Sequence, residues 1–178
     1  MKKALSVILM AALSLTLMFG MTGCGEEKVT LTNKTVNGLS FDVPDDFSDF
    51  AETQEVMLSK NEDSTASIVV SKELDMSGIR PEDITEEYYQ QTVIPNYTDV
   101  SFIEFKTNVS VSHTTAVYAH FTTKKADGLE VEAHAYLIYL PAQDGDGKMQ
   151  SVMFSFTKDT ESSLEANIDA VKSSLKFE

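Results

Sequence analysis

The sequence contains one cysteine, Cys24, and no tryptophan among its 178 residues. A chain with a single thiol cannot form a disulfide framework or a zinc site made of several cysteines. Basic residues are also scarce, since 14 lysines and arginines stand against 28 aspartates and glutamates, for a formal net charge of −14. Because an acidic surface repels phosphate backbones, we expect no nucleic-acid partner. Stability must then come from a packed core.

The beginning of the chain has the pattern of a secretory signal peptide. Lys2 and Lys3 give a positive start, residues 4–19 are apolar apart from three hydroxyl residues, and small residues precede Cys24. This order is typical of an export signal that is removed from the mature protein. The apolar run is shorter than the roughly 20 residues that a membrane-spanning helix needs.

The residues Met21-Thr22-Gly23-Cys24 resemble the cleavage motif of bacterial lipoprotein signals. The resemblance implies that the Cys24 thiol carries a diacylglycerol, with palmitate-type acyl chains, and that Cys24 becomes the mature N-terminus. Two acyl chains anchor a protein stably where one binds only reversibly. We therefore expect an extracytoplasmic protein, lipid-anchored to a bacterial membrane. Residues 1–23 are the predicted signal peptide, 24–35 the lipidated Cys and a short tether, and 36–178 a single folded domain.

The predicted domain mixes strand and helix patterns. Leu39, Phe41 and Val43 alternate on one face of a strand that ends at Pro44. Residues 79–94 are predicted as a helix with acidic residues in its first turn. A second helix is predicted over 161–175, capped by Asp159 or Thr160, with one apolar stripe formed by Leu164, Ile168, Val171 and Leu175.

Long strands fill the region between the two predicted helices. In 116–122 and 131–140 apolar residues occupy both the odd and the even positions. A sheet that is apolar on both faces must be covered on both faces. The sequence therefore predicts an α+β domain, with an antiparallel β-sheet flanked by helices on both faces in an αβα sandwich.

Two short motifs add a family resemblance. The stretch 38–44, Gly-Leu-Ser-Phe-Asp-Val-Pro, followed by Phe47, resembles the opening strand of PsbP-like domains, and Ser174-Leu175-Lys176-Phe177 resembles their closing segment. The resemblance spans roughly residues 36–178. It implies the PsbP-like fold, which is shared with a Ran-binding nuclear-import factor and with bacterial lipoproteins. Known members act mostly by binding other proteins.

The three histidines are His113, His120 and His134. If a two-residue loop, Asp127-Gly128, joins the central strands, His120 and His134 lie on opposite faces of the sheet. If the loop contains three residues, 126–128, they lie directly opposite one another, close enough for a two-histidine metal site. The two-residue loop is the stronger turn signal. Ordinary, partly buried histidines are therefore favoured, and we expect no metal site and no cofactor.

No other motif predicts chemistry. Residues 144–147, Asp-Gly-Asp-Gly, begin like a calcium loop, but Lys148 and Ser155 stand where oxygen ligands are needed, so we predict a hairpin turn. Nucleophile elbows, phosphate loops and zinc-protease motifs are missing from the sequence. We therefore expect a non-catalytic protein, in which Asp45-Asp46 and Glu86-Glu87 are solvated acidic pairs.

A membrane-anchored protein-binding or scaffolding module is the favoured function, with a protein partner in the cell envelope. Tyr89, flanked by Glu86 and Gln90, is a candidate contact residue, although packing of Tyr89 on the sheet is favoured. One alternative is a small-molecule receptor with a pocket lined by Tyr118, Tyr136 and Tyr139. Another is an envelope hydrolase, whose paired carboxylates would meet only in the folded chain.

Overall fold

The computed structural model describes residues 29–53, 56–76, 78–125, 127–140 and 147–177. The predicted signal peptide 1–23, the lipidation residue Cys24 and the greater part of the 144–147 turn lie outside these ranges. Among the described residues, none of the helices has the length and apolar character needed to cross a bilayer.

The described residues form eleven strands and two α-helices. The helices are α1 (Glu86–Thr92) and α2 (Ser163–Ser174), and a 3₁₀ turn covers Pro81–Asp83. The strands are β1 (Leu31–Val36), β2 (Leu39–Pro44), β3 (Ala51–Glu52), β4 (Val56–Lys60), β5 (Ala66–Ser71), β6 (Leu74–Asp75), β7 (Ser101–Val111), β8 (Thr114–Lys124), β9 (Glu130–Leu140), β10 (Lys148–Thr157) and β11 (Lys176–Phe177).

The main sheet has eight strands in the order β3-β4-β5-β10-β9-β8-β7, with β6 paired to β10. All of its pairings are antiparallel. The strands β8, β9 and β10 have partners on both sides and form its centre, whereas β7 lies at one edge. A mostly antiparallel sheet with two helices confirms the predicted α+β class.

A second, smaller sheet brings the two ends of the domain together. It has the order β1-β2-β11. The β1–β2 hairpin turns at Asn37 and Gly38, whose φ angles of 50° and 81° suit an Asn-Gly turn. Because β1 begins at Leu31 and pairs with β2 along its length, the folded part starts inside the range 24–35. Residues 31–35, which are predicted from the sequence to be part of the tether, belong to β1 of the smaller sheet.

The interior consists of two clusters of buried side chains, one on each side of the central strands. Neighbouring residues alternate between them, so that Ile138 lies in the first cluster and Leu137 in the second. The first also holds Leu39, Phe41, Ile68, Phe154 and, from α2, Leu164 and Val171. The second also holds Ile84, Val117, Phe121, Met149 and, from α1, Tyr89. The prediction that both faces of the sheet are apolar is confirmed.

Both helices start later than the sequence suggests. Thr85 caps α1, because its side chain accepts a hydrogen bond from the Tyr88 amide. Ser162 caps α2 in the same way, accepting from the Glu165 amide, so Asp159 and Thr160 are not the caps. A Ser or Thr hydroxyl that accepts a hydrogen bond from a free backbone amide stabilises the start of a helix. This preference explains why α1 begins after Thr85 and α2 begins after Ser162.

Candidate functional site

The central hairpin brings His120 of β8 directly opposite His134 of β9. The connecting loop spans three residues, 126–128, because Lys125 and Leu129 still pair through a 2.8 Å backbone hydrogen bond. Gly128 adopts φ 88°, as the last residue of such a loop requires. The favoured two-residue loop is therefore wrong, and the alternative register, with both histidines on one face, is the one observed.

The two imidazole rings stack on each other and share a carboxylate. Their centroids are 4.1 Å apart and their planes differ by 19°. Glu132 lies two residues before His134 on β9, so both side chains project from the same face. Its Oε1 is 2.7 Å from His120 Nε2 and 3.6 Å from His134 Nε2. One nitrogen from each histidine and one oxygen of Glu132 all lie within 4.8 Å of one another.

No sequence motif singles out Glu132. The signal that could have found it is its even position on β9, which it shares with His134. That signal becomes meaningful only when the hairpin register is known. His113, by contrast, is exposed in the turn between β7 and β8, where its ring lies 6.3 Å from that of Phe177. The structure therefore brings together two of the three histidines and adds an acid.

A tyrosine orients the more deeply buried histidine. The Tyr118 hydroxyl lies 2.8 Å from His134 Nδ1. Burial, together with the neighbouring His120, lowers the pKa of His134 to about 3, so this imidazole is neutral at physiological pH. Burial raises the pKa of Tyr118 and takes that of Tyr136 to about 12, so both phenols keep their protons. A neutral His134 with one ring nitrogen engaged by Tyr118 exposes Nε2 to Glu132.

Charged side chains surround this group at the surface. Glu104 of β7 is the cross-strand partner of His120 and forms a 2.5 Å ion pair with Lys106. Lys172 of α2 lies 5.8 Å from the centre of the Tyr118 ring and forms a 3.0 Å ion pair with Asp169. Each of these lysines therefore has a carboxylate of its own, distinct from Glu132.

Tyr89 is not a surface contact residue. Its side chain is 0% exposed and packs edge-on against Phe102 and Phe105, with ring centroids 6.3 and 5.7 Å away. The hypothesis that it contacts a partner is wrong, because its ring fills the space between α1 and β7. The favoured alternative, packing on the sheet, is confirmed.

The three tyrosines proposed for a receptor pocket do not share a site. Tyr118 and Tyr136 are neighbours, with ring centroids 4.9 Å apart, but Tyr139 has the opposite parity on β9 and packs against the second core cluster. The prediction of one pocket lined by all three tyrosines is therefore wrong. The larger of two described cavities, about 450 Å³, is lined elsewhere, by Glu87, Gln90, Gln91, Pro95 and Tyr97.

One member of each acidic pair considered for catalysis has a structural partner. Asp46 accepts a 2.6 Å hydrogen bond from the Ser163 hydroxyl at the start of α2. Glu87 accepts a 3.1 Å bond from Gln91, one helical turn along α1. These contacts hold loops and helix turns in place.

Solved structures show which fold this is, although neither a protein-family model nor a curated protein sequence matches the chain. The Saccharomyces cerevisiae Ran-binding protein Mog1p is similar with a TM-score of 0.50 and 14% identity, over 83% of this chain and 96% of that one. LpqN of Mycobacterium tuberculosis, described as involved in cell envelope biogenesis, is similar with a TM-score of 0.54 and 13% identity, over 84% and 91%. The chain thus has the Mog1/PsbP-like fold.

Proposed function

We propose that this protein is a non-catalytic binding module of the bacterial cell envelope, held at a membrane by a lipid on Cys24. The export signal in 1–23 and the motif that ends at Cys24 support the location. The fold supports the mode of action, since one protein of similar structure is described as Ran-binding and another as involved in cell envelope biogenesis.

The observation that carries the proposal is the filled interior of the domain. The side chains that meet between the strands and helices, such as Leu137, Ile138 and Phe154, are fully buried. The two described cavities, of about 450 and 120 Å³, open at the surface. Small-molecule receptors enclose most of their ligand in a concave site. A domain packed in this way recognises its partner with its exterior.

The β7 edge is the part of that exterior best suited to a protein partner. Among the described residues β7 pairs only with β8, so one side of its backbone faces outward. A bulge between Phe102 and Glu104 leaves Ile103 without a cross-strand partner, and its side chain is 57% exposed. The bulge limits indiscriminate pairing of β7 with strands of other proteins. The exposed apolar side chain of Ile103 offers an anchor for a strand of one specific partner.

The test is photo-cross-linking in intact cells, with a photoreactive residue at position 103 or, in a matched control, at position 129. Leu129 suits the control because it is also apolar and 49% exposed, but lies beside the β8–β9 loop. We expect one reproducible adduct from position 103 and none from position 129. Equal labelling from both positions, or none from either, contradicts a partner at the β7 edge.

The anchor is tested separately with Cys24→Ala. Labelling with a palmitate analogue, followed by membrane fractionation, should place the unsubstituted protein in the membrane with label. The Cys24→Ala protein should carry no label and leave the membrane fraction. Label that persists in Cys24→Ala contradicts the lipid assignment.

A further inference from the structure

We propose that His120, Glu132 and His134 form a binding site for one divalent transition-metal ion of the Zn²⁺ type. Two imidazole nitrogens and one carboxylate oxygen are a donor set that suits Zn²⁺ and related ions. Three protein ligands leave a coordination position for water or for a group from a partner. The site lies on the α2 side of the central hairpin, where Glu104, the chain neighbour of Ile103 on β7, is the cross-strand partner of His120.

The separations between the ligand atoms fit a shared ion. With metal–ligand bonds of about 2.0–2.2 Å, atoms around one tetrahedral ion lie roughly 3.3 Å apart. The Glu132 oxygen is 2.7 Å from one imidazole nitrogen and 3.6 Å from the other, on either side of that value. All three donor atoms fall within 4.8 Å of one another. Binding therefore requires the ligand atoms to move relative to one another by about 0.3–1.5 Å.

The backbone that carries the ligands is rigid. His120 and His134 are direct partners on β8 and β9, and both strands are paired on each side. Ligands on paired strands are held more precisely than ligands on loops. The two ring planes differ by 19°. Because an imidazole lone pair lies in the ring plane, binding turns the rings so that both Nε2 atoms point at one position.

The Tyr118 hydroxyl supplies the outer contact that metal-binding histidines usually have. It lies 2.8 Å from His134 Nδ1, which leaves Nε2 as the ligand atom. A hydrogen bond at the second ring nitrogen fixes the orientation of a ligating imidazole. Tyr118 is therefore a positioning residue, and its loss should weaken binding without changing the number of ions bound.

Access and charge also favour a cation. The side chains of His120 and Glu132 are 18% and 22% exposed, so the ion can reach them from solvent. The neighbouring lysines Lys106, Lys158 and Lys172 each form an ion pair with another carboxylate, that of Glu104, Glu130 and Asp169 respectively. The negative charge of Glu132 thus remains available to a metal ion in place of its hydrogen bond to His120.

The experiment is a calorimetric titration of the full chain, purified in detergent, with ZnCl₂. We expect one Zn²⁺ per chain, with affinity lowered by more than ~10-fold in His120→Gln and Glu132→Gln and unchanged in the matched control His113→Gln. In Tyr118→Phe the stoichiometry should persist while affinity falls by about 10–100-fold. Absence of saturable binding, or equal losses in His113→Gln and His120→Gln, overturns the proposal.

A second measurement needs no substitution and so does not depend on the folding of a variant. Imidazole NMR resonances of the unsubstituted protein are recorded as ZnCl₂ is added. The resonances of His120 and His134 should shift together and stop at one equivalent, while those of His113 stay in place. Shifts confined to His113, or spread evenly over all three histidines, overturn the site.

Discussion

Replacing Tyr89 with phenylalanine should stabilise this domain. The Tyr89 hydroxyl is buried and, among the described residues, has no hydrogen-bond partner. Its burial also raises the pKa of the phenol, as expected for a hydroxyl removed from water. The Tyr89→Phe substitution removes only the oxygen and keeps the ring, so the edge-on contacts with Phe102 and Phe105 remain.

The expected gain follows from the desolvation of that oxygen. A buried polar group without a partner costs about 1–3 kcal/mol relative to the same group in water. In a domain of this size, each kcal/mol shifts the melting temperature by about 2–4 °C. Tyr89→Phe should therefore raise the free energy of unfolding by roughly 1–3 kcal/mol and the melting temperature by several degrees.

Tyr118→Phe is the matched comparison, because it also removes a phenolic hydroxyl, but one that has a hydrogen-bond partner. It leaves His134 Nδ1 without the Tyr118 hydroxyl, 2.8 Å away, and should lower stability by about 1–3 kcal/mol. Urea unfolding followed by circular dichroism measures both, since the chain lacks tryptophan as a fluorescent probe. If Tyr89→Phe destabilises the domain by about as much as Tyr118→Phe, the Tyr89 hydroxyl has a partner and the reasoning is refuted.

Three further predictions test other parts of the fold, and Thr160→Ala serves as the control for one of them. Because the folded-state pKa of His134 is lowered to about 3, the contribution of its neutral imidazole to stability is complete above about pH 6.5 and is lost as the pH falls toward 3, by up to roughly 1.4 kcal/mol per pH unit. Urea unfolding at several pH values should therefore show that the stability difference between the unsubstituted protein and His134→Gln shrinks over that interval. A difference that stays constant with pH contradicts the lowered pKa. Ser162→Ala removes the cap of α2 and should cost about 0.5–2 kcal/mol in thermal unfolding, whereas Thr160→Ala should cost less. Gly38→Val places a β-branched residue at φ 81° and should destabilise the β1–β2 hairpin by more than about 1 kcal/mol, as hydrogen exchange of β1 amides would report; unchanged protection of those amides would contradict the strain.

The elements with a one-sided pattern were predictable from the sequence. The apolar stripe of α2 and the alternation in β2 each identify a buried face, and both lie in the first core cluster. The hairpin of β4 and β5 was also predictable, from a polar turn between two apolar runs. In each case a local period points to a single buried face.

The register of the β8–β9 hairpin, on which the candidate site depends, was not predictable. A one-residue shift normally exposes apolar residues and so is penalised. Here both parities of β8 and β9 are buried, as Val117 and Ala116 illustrate, so the apolar pattern fits either register. The loop residues Asp127 and Gly128 suit both loop lengths, and Glu132 gains meaning only from the register. The short strand β11 was missed for another reason, since its partner β2 is distant in sequence.

The pairing of β11 with β2 has a consequence for the order of folding. β2 holds β1 on one side and, on the other, the segment at Lys176 and Phe177, while Phe41 on its buried face touches Phe154 of β10 at a centroid distance of 5.5 Å. In a chain that emerges N-terminus first, β2 can therefore pair with β1 early, but its β11 side and its contact with β10 are missing until nearly all of the sequence has appeared. Contacts between such distant segments make folding slow and late. We therefore expect the domain to complete its folding only after its last strand has been synthesised.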